Sequence, residues 1–451
     1  MALNILDRQT FIRELHEIVT PTHPVLYAKY LKGRDIQLKN IEQALFAVGR
    51  NVFIYGERGV GKSSLAATAA NEWMKNQADA DPNTYIDIAC SPDSTIYGLV
   101  GNIARQATFK SRILKKSVKS SFGINLKWIT YKRDNEKIEL DFTKELNDLS
   151  DCIELLKEVE SLYHFPLIVV VDEVDQIKNP VEIERLANLL KQLGDKRVDV
   201  KFIFTGVAKT LDEILGSHRS AARQLETIEL PKLSWDARWD IAKDALSHFN
   251  VKIDDDICIR IAMISDGYPF YVHLIVEKLL WRLFSIEKEV THVEWSDYYE
   301  AVNDAVNGIS AELSRPYLQA VTQRSQDYEE VVWATLVADN NIGVYIKEMY
   351  THYKFIMAQL KEKEVLDQDR FYNRVRNLLK DQYGPILAKG LKSGQYVYKE
   401  KMLRGYVRLK AEAQKIHLNI DEAKAIDDLR FKANASVKST KYYSSKAPRG
   451  W

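Results

Sequence analysis

Five short apolar runs, most of them followed by a segment with helical spacing of its apolar residues, organise the first half of the chain. The runs are Asn51–Tyr55, Thr84–Ala89, Leu167–Val171, Val200–Phe204 and Thr227–Leu230. A continuous apolar run of this length suits a strand buried on both faces of a sheet. Because strands alternate with helices, the pattern predicts an α/β domain with a five-stranded parallel sheet that helices cover on both sides.

Helical spacing continues alone from Asp236 to Phe284. One helix opens at Trp235, a second covers Asp254–Ser265, and Tyr271–Phe284 is strongly amphipathic, so that one face packs against other helices. A polar junction, Asn303–Pro316, follows. These segments predict a small helical domain after the sheet.

Residues 325–415 have the element order of a winged helix. The predicted helices and wing strands are Tyr328–Val337, Tyr345–Gln359, Asp369–Lys380, Ile386–Lys389 and Gln395–Tyr398. Residues 370–410 hold eleven Lys and Arg against two acids, which favours contact with a DNA groove and its phosphates. The candidate cations are Arg370, Arg374, Arg376, Lys389 and Lys392. A winged helix that contacts protein or covers nucleotide is the alternative.

A long insertion separates the second and third apolar runs. Apolar and polar residues alternate on both sides of Arg133–Glu136, which predicts a β-hairpin over Ser121–Phe142. Residues 110–133 contain eight Lys and Arg and no acid. The hairpin is therefore a second candidate for DNA contact, and a solvated basic surface is its alternative.

Composition narrows the class of protein. At 451 residues the chain has room for about three domains, and its net charge of +1 leaves nucleic-acid binding to local patches. Its three cysteines are far apart, which argues against a zinc site or a disulfide framework and for reducing cytosol. Charged residues near the N-terminus exclude a signal-peptide core, and Leu167–Val171 is too short to cross a bilayer. We expect a cytoplasmic protein with no membrane association.

The strongest chemical signal is Gly56–Ser63, which directly follows the first predicted strand. It matches the P-loop pattern GxxxxGK(S/T) in the strand–loop–helix context that this motif requires. Backbone N–H groups of such a loop surround a phosphate, Lys62 neutralises the β/γ oxygens, and the Ser63 hydroxyl binds Mg²⁺. The predicted nucleotide-binding residues are Gly56, Glu57, Arg58, Gly59, Val60, Gly61, Lys62, Ser63 and Ser64.

Two acids and a threonine complete the predicted site. Asp172 and Glu173 end the third strand, where Asp172 is a second candidate ligand for Mg²⁺ and Glu173 a candidate base that polarises the attacking water. Thr205, at the tip of the fourth strand, is placed to hydrogen-bond the γ-phosphate or the water; its alternative is a strand cap.

The order Gly33-Arg34-Asp35, P-loop, Asp172-Glu173, Thr205 and Arg223 resembles the AAA+ and STAND P-loop ATPases, nearest to origin-recognition-like initiators, over about residues 25–285. The resemblance implies a Mg²⁺-dependent ATPase with a helical lid. It also implies that the turn at Arg34 flanks the adenine and that Thr205 is the sensor 1 residue. Arg223 corresponds to the catalytic arginine finger given to a neighbouring subunit, which implies a homo-oligomer; Arg219 is its competitor, and an ordinary surface arginine the alternative.

One position departs from that family. Many members carry a sensor 2 arginine after the lid helices, where this chain has Phe270 within Gly267–His273. His273 is a candidate substitute, and a packed helix residue is its alternative. The Gly-Tyr-Pro sequence at Gly267 is closer to STAND members. The departure puts the rate of hydrolysis in question, and not the binding of ATP.

We therefore expect five regions: an N-terminal helical extension (1–24), an ATPase core (25–233) with an inserted basic hairpin (110–143), a helical lid (234–310), a winged helix (311–425) and a basic tail (426–451). The favoured function is an ATPase whose nucleotide state switches self-assembly and the engagement of DNA or a partner protein, as in replication, transposition or antiviral defence. A STAND-like signalling switch that acts on a separate effector chain, reached through the tail, is the alternative. A nucleotide-holding scaffold without turnover is a third.

Overall fold

The computed structural model describes residues 3, 6–76, 85–111, 129–134, 137–142, 146–217, 223–323, 325–337 and 343–418, with the backbone alone for 129–134 and 137–142. Arg219, the tail 426–451 and most of the insertion 110–143 lie outside these residues. The chain divides into two compact units, one of Thr22–Lys232 and one of Met1–Pro21 with Leu233–Trp451. No helix in the described ranges is long and apolar enough to cross a membrane.

The helices are α1 Arg8–Ile18, α2 Asp35–Phe46, α3 Lys62–Lys75, α4 Ile96–Lys110, α5 Leu149–Glu160, α6 Pro180–Asp195, α7 Ala208–Ser217, α8 Trp235–His248, α9 Asp255–Ile264, α10 Pro269–Phe284, α11 Trp295–Gly308, α12 Ala311–Val321, α13 Tyr328–Ala334, α14 Ile346–Met357, α15 Gln368–Asn377 and α16 Leu403–Ala413. The strands are β1 Asn51–Tyr55, β2 Ile86–Ala89, β3 Ile129–Asp134, β4 Lys137–Phe142, β5 Leu167–Asp172, β6 Val200–Gly206, β7 Leu225–Glu229, β8 Val344–Tyr345, β9 Leu387–Lys389 and β10 Gln395–Tyr398.

The first unit is built on a five-stranded sheet in the order β2-β5-β6-β1-β7, with every pair parallel, so the predicted fold class is confirmed. Residues 51–54 of β1 and 167–171 of β5 are buried, as expected for central strands with helices on both faces. The register pairs Ile54 with Thr205 and Val171 with Phe204. The carboxyl ends of β1, β5 and β6 therefore meet at one edge of the sheet.

The first turns of α3 are anchored to the chain that precedes α2. Ser64 Oγ accepts a hydrogen bond from the Val25 N–H at 3.2 Å, and Thr68 Oγ1 donates to the Val25 carbonyl at 2.7 Å. Their positions four residues apart place both side chains on one face of the helix. This face fixes the segment around Val25 beside the start of α3.

The inserted hairpin is present as two antiparallel strands. Its register runs from Ile129 opposite Phe142 to Asp134 opposite Lys137. The predicted strand residues 121–128 lie outside the described part of the chain, as do all side chains of the hairpin. Its role in binding DNA therefore stays a prediction.

Helix α1, expected as an extension, is packed into the second unit. Asp7 caps it by accepting hydrogen bonds from two N–H groups of its first turn. The Phe11 ring stacks on Phe284 at a centroid distance of 4.1 Å and meets the edge of Trp281 at 5.0 Å. The apolar face of α1 is thus part of the same core as α10.

Elements α13 to α15 and a three-stranded antiparallel sheet, β8-β10-β9, follow in the order helix, strand, helix, helix, strand, strand. Strand β8 is an addition that the sequence analysis did not predict. Helix α16 then packs against the helices of residues 255–308, where Arg404 and Arg408 both pair with buried Asp266 at 3.0 and 2.6 Å. The assignment of 311–425 as a separate winged-helix domain stays a prediction.

Candidate nucleotide site

The loop Gly56–Ser63 has a backbone that only glycine tolerates at several positions. Gly59 and Gly61 have φ values of 81° and 97°, in the left-handed region. A Cβ atom at Gly56 would lie 2.5 Å from the carbonyl oxygen of Leu230. Gly61 is also the N-cap of α3, so the loop ends at a helix N-terminus whose partial positive charge favours phosphate.

Lys62, the first residue of α3, closes the loop from inside. Its Nζ donates hydrogen bonds to the carbonyls of Gly56 at 3.1 Å and Glu57 at 2.8 Å. Burial lowers the pKa of Lys62, and the negative charges of Asp175, Asp172 and Glu173 oppose that shift. The lysine is therefore hydrogen-bonded to the loop and also lies within the electrostatic influence of three acids.

Asp175 is an acid of this site that the sequence analysis did not single out. Its Oδ1 lies 3.6 Å from the position of a Cβ built on Gly206, which places the carboxylate at the tip of β6. Of the three acids, it has the largest effect on the pKa of Lys62. In the sequence, its position three residues after Asp172 could have indicated that it belongs to the site. In the structure it lies in the 3₁₀ turn Val174–Gln176.

Thr205 joins the two predicted acids into one hydrogen-bonded group. Its hydroxyl donates to Asp172 Oδ1, and its Oγ1 accepts from the Glu173 N–H at 3.0 Å. The Glu173 N–H also reaches Asp172 Oδ1 at 3.0 Å. Thr205 is fully buried, whereas the Glu173 side chain is exposed and its backbone has a left-handed φ of 56°. The Thr205 hydroxyl thus holds the backbone N–H of Glu173 in position, while the Glu173 carboxylate extends into solvent.

Replacing Thr205 with Val keeps the volume of the side chain but removes this bridge. We expect hydrolysis to slow about tenfold or more with ATP affinity changed little, since hydrogen bonds to charged groups contribute roughly 1.5–3 kcal/mol. Phosphate release and titration with a fluorescent ATP analogue measure the two quantities. Thr227→Val, at an exposed position of β7, is the matched control. Full hydrolysis in Thr205→Val would make Thr205 a strand cap only.

The two serines of the motif differ in their surroundings. Ser63 is half-buried in the first turn of α3, and Asp172 is half-buried at the end of β5. Ser64 directs its hydroxyl to Val25, so its backbone N–H is the group that it offers to a phosphate. The assignment of Ser63 and Asp172 to Mg²⁺ stays a prediction.

Arg34 lies against the P-loop. It is 4% exposed, and its Nη2 donates to the carbonyls of Val60 at 3.1 Å and Pro231 at 2.7 Å. Burial lowers its pKa to about 10, so the side chain is still a cation at neutral pH. The contact with Val60 was not foreseen from the sequence.

Arg223 is exposed and precedes β7, whose first residue pairs with Asn51 at the start of β1. The P-loop begins at the other end of β1, about 15 Å away at the usual rise of a strand. The fold therefore does not bring Arg223 to the P-loop of its own chain. Of the two candidates for an arginine finger, Arg219 lies outside the described residues.

The second unit contains the candidates for the sensor 2 position. His273 is buried, and its Nδ1 accepts a hydrogen bond from the Thr20 N–H at 3.3 Å. Burial lowers its pKa to about 4, so the imidazole is neutral at physiological pH. His273 is thus a packed residue of α10 without the charge that a sensor 2 arginine supplies, and Phe270 supplies none.

Comparison with known proteins supports the nucleotide site. The model of the family described as AAA ATPase domain matches residues 30–203. No curated protein matches the chain.

Among solved structures, the chain is similar to a Walker-type ATPase of Pyrococcus abyssi, PABY2304, with 16% identity, a TM-score of 0.51 and coverage of 86% of this chain and 99% of that one. The ORC2 protein of Aeropyrum pernix gives 12% identity, a TM-score of 0.45 and coverage of 86% and 98%. The likeness to the first concerns the fold alone. With the P-loop and the acids of β5 in place, the family match identifies residues 30–203 as an AAA ATPase domain, and the chain is an ATPase.

Proposed function

We propose that the chain is a nucleotide-controlled switch, an ATPase whose bound nucleotide governs its assembly with further copies and its engagement of DNA. The proposal rests on the ATPase domain together with a C-terminal set of elements, residues 311–418, that has the order of a winged helix and carries exposed cations. The observation that carries the DNA part is the exposed basic surface of α15 and the β9–β10 hairpin.

That surface is formed by side chains directed to solvent. Arg376 is exposed and donates to Asn373 Oδ1 at 3.3 Å, while Lys389 and Lys392 are exposed in the hairpin. Arg370 is 62% exposed and lies 3.5 Å from the Asp367 carboxylate, which offsets part of its charge. Exposed cations on a third helix and a wing are suited to phosphate and groove contacts.

Arg374 differs from these cations. Its guanidinium binds Asp327 at 3.0 and 3.1 Å, donates to Ser325 Oγ at 2.9 Å and lies over the ring of Tyr328. The hydrogen bond to Asp327 raises the pKa of Arg374. The proposal accordingly assigns DNA contact to Arg376 and the hairpin lysines, and assigns Arg374 to holding α15 against the residues that precede α13.

ATP and Mg²⁺ fit the residues of the first unit. The left-handed glycines form a cradle of N–H groups, and Ser63 with Asp172 would hold the metal, which neutralises phosphate charge when it is bound. Among the described residues, no group of three or more His, Cys, Asp or Glu could hold a metal by itself.

The double variant Arg376→Glu with Lys392→Glu tests the DNA part. We expect weaker binding to duplex DNA and a salt dependence that is flatter by roughly one log–log unit per lost phosphate contact. Fluorescence anisotropy at several salt concentrations, with ADP and with a slowly hydrolysed ATP analogue, measures both. ATPase activity without DNA should not change, because these residues lie outside the nucleotide site.

The matched control is Lys347→Glu with Lys361→Glu, two exposed lysines outside α15 and the hairpin. Equal losses in both double variants would indicate a nonspecific charge effect. If the unaltered protein has no salt-dependent affinity for DNA in any nucleotide state, the DNA part of the proposal fails. The STAND-like signalling switch, with a protein partner, would then be the better explanation.

A further inference from the structure

The peptide between Val60 and Gly61 is held from outside the P-loop by Arg34. Gly33, the residue before Arg34, has a left-handed φ of 68°, and Arg34 is the N-cap of α2. After this turn the Arg34 side chain reaches the loop, where Nη2 donates a hydrogen bond to the Val60 carbonyl at 3.1 Å. The contact is buried, so water does not replace it readily.

The direction of that carbonyl sets the direction of a phosphate-binding group. A trans peptide is planar, and its C=O and N–H point to opposite sides. With the Val60 carbonyl on Arg34, the N–H of Gly61 is directed away from Arg34. The peptide rotates through changes at Val60 ψ and Gly61 φ, and Gly61 lacks the Cβ atom that would oppose such a rotation.

The second hydrogen bond of Arg34 anchors its guanidinium to backbone that adjoins β1. Nη2 also binds the carbonyl of Pro231 at 2.7 Å. The preceding residue, Leu230, donates its N–H to the Tyr55 carbonyl at 2.7 Å, one residue before the P-loop begins. Arg34 therefore braces the middle of the loop against backbone that is itself bonded to β1.

Within the part of the chain that the structure describes, both partners of the Arg34 guanidinium are carbonyl oxygens, and no carboxylate pairs with it. A buried cation without a carboxylate is costly unless its hydrogen bonds are well formed. The position thus requires a planar, multiply donating cation, and a Lys cannot reproduce its geometry.

We propose that Arg34 is a positioning residue that locks the Val60–Gly61 peptide, so that the P-loop presents its N–H groups to phosphate before the nucleotide arrives. This role differs from the adenine contact that the family resemblance implies. It rests on nucleotide binding by the P-loop, and is independent of the assembly and DNA parts of the proposed function.

Binding of ATP and of inorganic pyrophosphate to Arg34→Met separates a role in positioning the P-loop from a role in contacting adenine, because pyrophosphate has no adenine. The lock predicts that both ligands bind about tenfold or more weakly, and by the same factor. The KM for ATP should rise by that factor, whereas kcat at saturating ATP should change much less. If Arg34 instead contacts adenine, ATP should bind more weakly and pyrophosphate should bind as before. That result would contradict the proposal that Arg34 positions the Val60–Gly61 peptide.

Two further variants keep this test decisive. Arg50→Met removes an exposed arginine of the same unit, paired with Glu226 at 3.3 Å, and should bind both ligands as the unaltered protein does. Arg34→Lys keeps the charge and should lose affinity for both ligands to a smaller extent. If Arg34→Met does not fold, as judged by thermal unfolding, unchanged affinity in folded Arg34→Lys overturns the proposal. Failure of the unaltered protein to bind either ligand would instead contradict the nucleotide site itself.

Discussion

The substitution Glu173→Gln is expected to slow ATP hydrolysis by about 100-fold or more while ATP still binds, the range for losing a positioned base. The amide has nearly the same size as the carboxylate but cannot accept a proton from the attacking water. The backbone at this position should stay in place, because the Glu173 N–H is held by Asp172 and Thr205 and not by its own side chain.

Single-turnover phosphate release and equilibrium binding of a fluorescent ATP analogue measure the two effects separately. Lys62→Ala should not bind ATP, since it removes the cation that faces the phosphates, and it provides the baseline. Glu184→Gln, an exposed glutamate on α6, is the matched control and should hydrolyse ATP normally. Unchanged phosphate release in Glu173→Gln would exclude Glu173 as the base and direct attention to Asp175.

Elements that are set by local chemistry were predictable from the sequence. The P-loop was predictable because its glycines are required by backbone geometry, and Gly59 and Gly61 are indeed left-handed. The five parallel strands were predictable because burial on both faces demands continuous apolar runs. The AAA-type assignment that followed from these motifs is confirmed over residues 30–203.

Contacts between distant parts of the chain were not predictable in the same way. The pairing of Arg34 with Val60 and Pro231 depends on the turn at Gly33, and no sequence pattern specifies it. An amphipathic α1 requires an apolar partner, but its pattern does not name Phe284. The charge of Arg374 predicted contact with an anion, and the anion is Asp327 of the same chain. In each case the residue type indicated the kind of interaction, and tertiary structure chose the partner.

Among variants that should still bind ATP, the largest expected effect belongs to Arg223→Ala, which should bind ATP normally and lose about 1,000-fold or more in turnover, the range for an arginine finger supplied from outside. This prediction follows from the position of Arg223 just before β7. Arg223 lies at the amino-terminal ends of the parallel strands, whereas the P-loop follows the carboxyl end of β1. It can therefore reach a γ-phosphate only in another copy of the chain. Turnover should accordingly depend on protein concentration, and a steady-state assay over a dilution series measures this together with the loss of rate.

Mixing Arg223→Ala with Glu173→Gln gives the decisive comparison. Neither variant hydrolyses ATP efficiently alone, but a site with intact Glu173 regains an arginine from a Glu173→Gln neighbour. In a random equal mixture half of the sites retain Glu173 and half of their neighbours retain Arg223, so about one interface in four should be active. Arg50→Ala removes a cation from the same edge of the sheet and should keep most of the turnover; an equal loss there would mean that the edge needs positive charge and no finger. Full ATPase activity in a protein that light scattering shows to be monomeric would return Arg223 to the role of a surface residue, and self-assembly would then have no catalytic consequence.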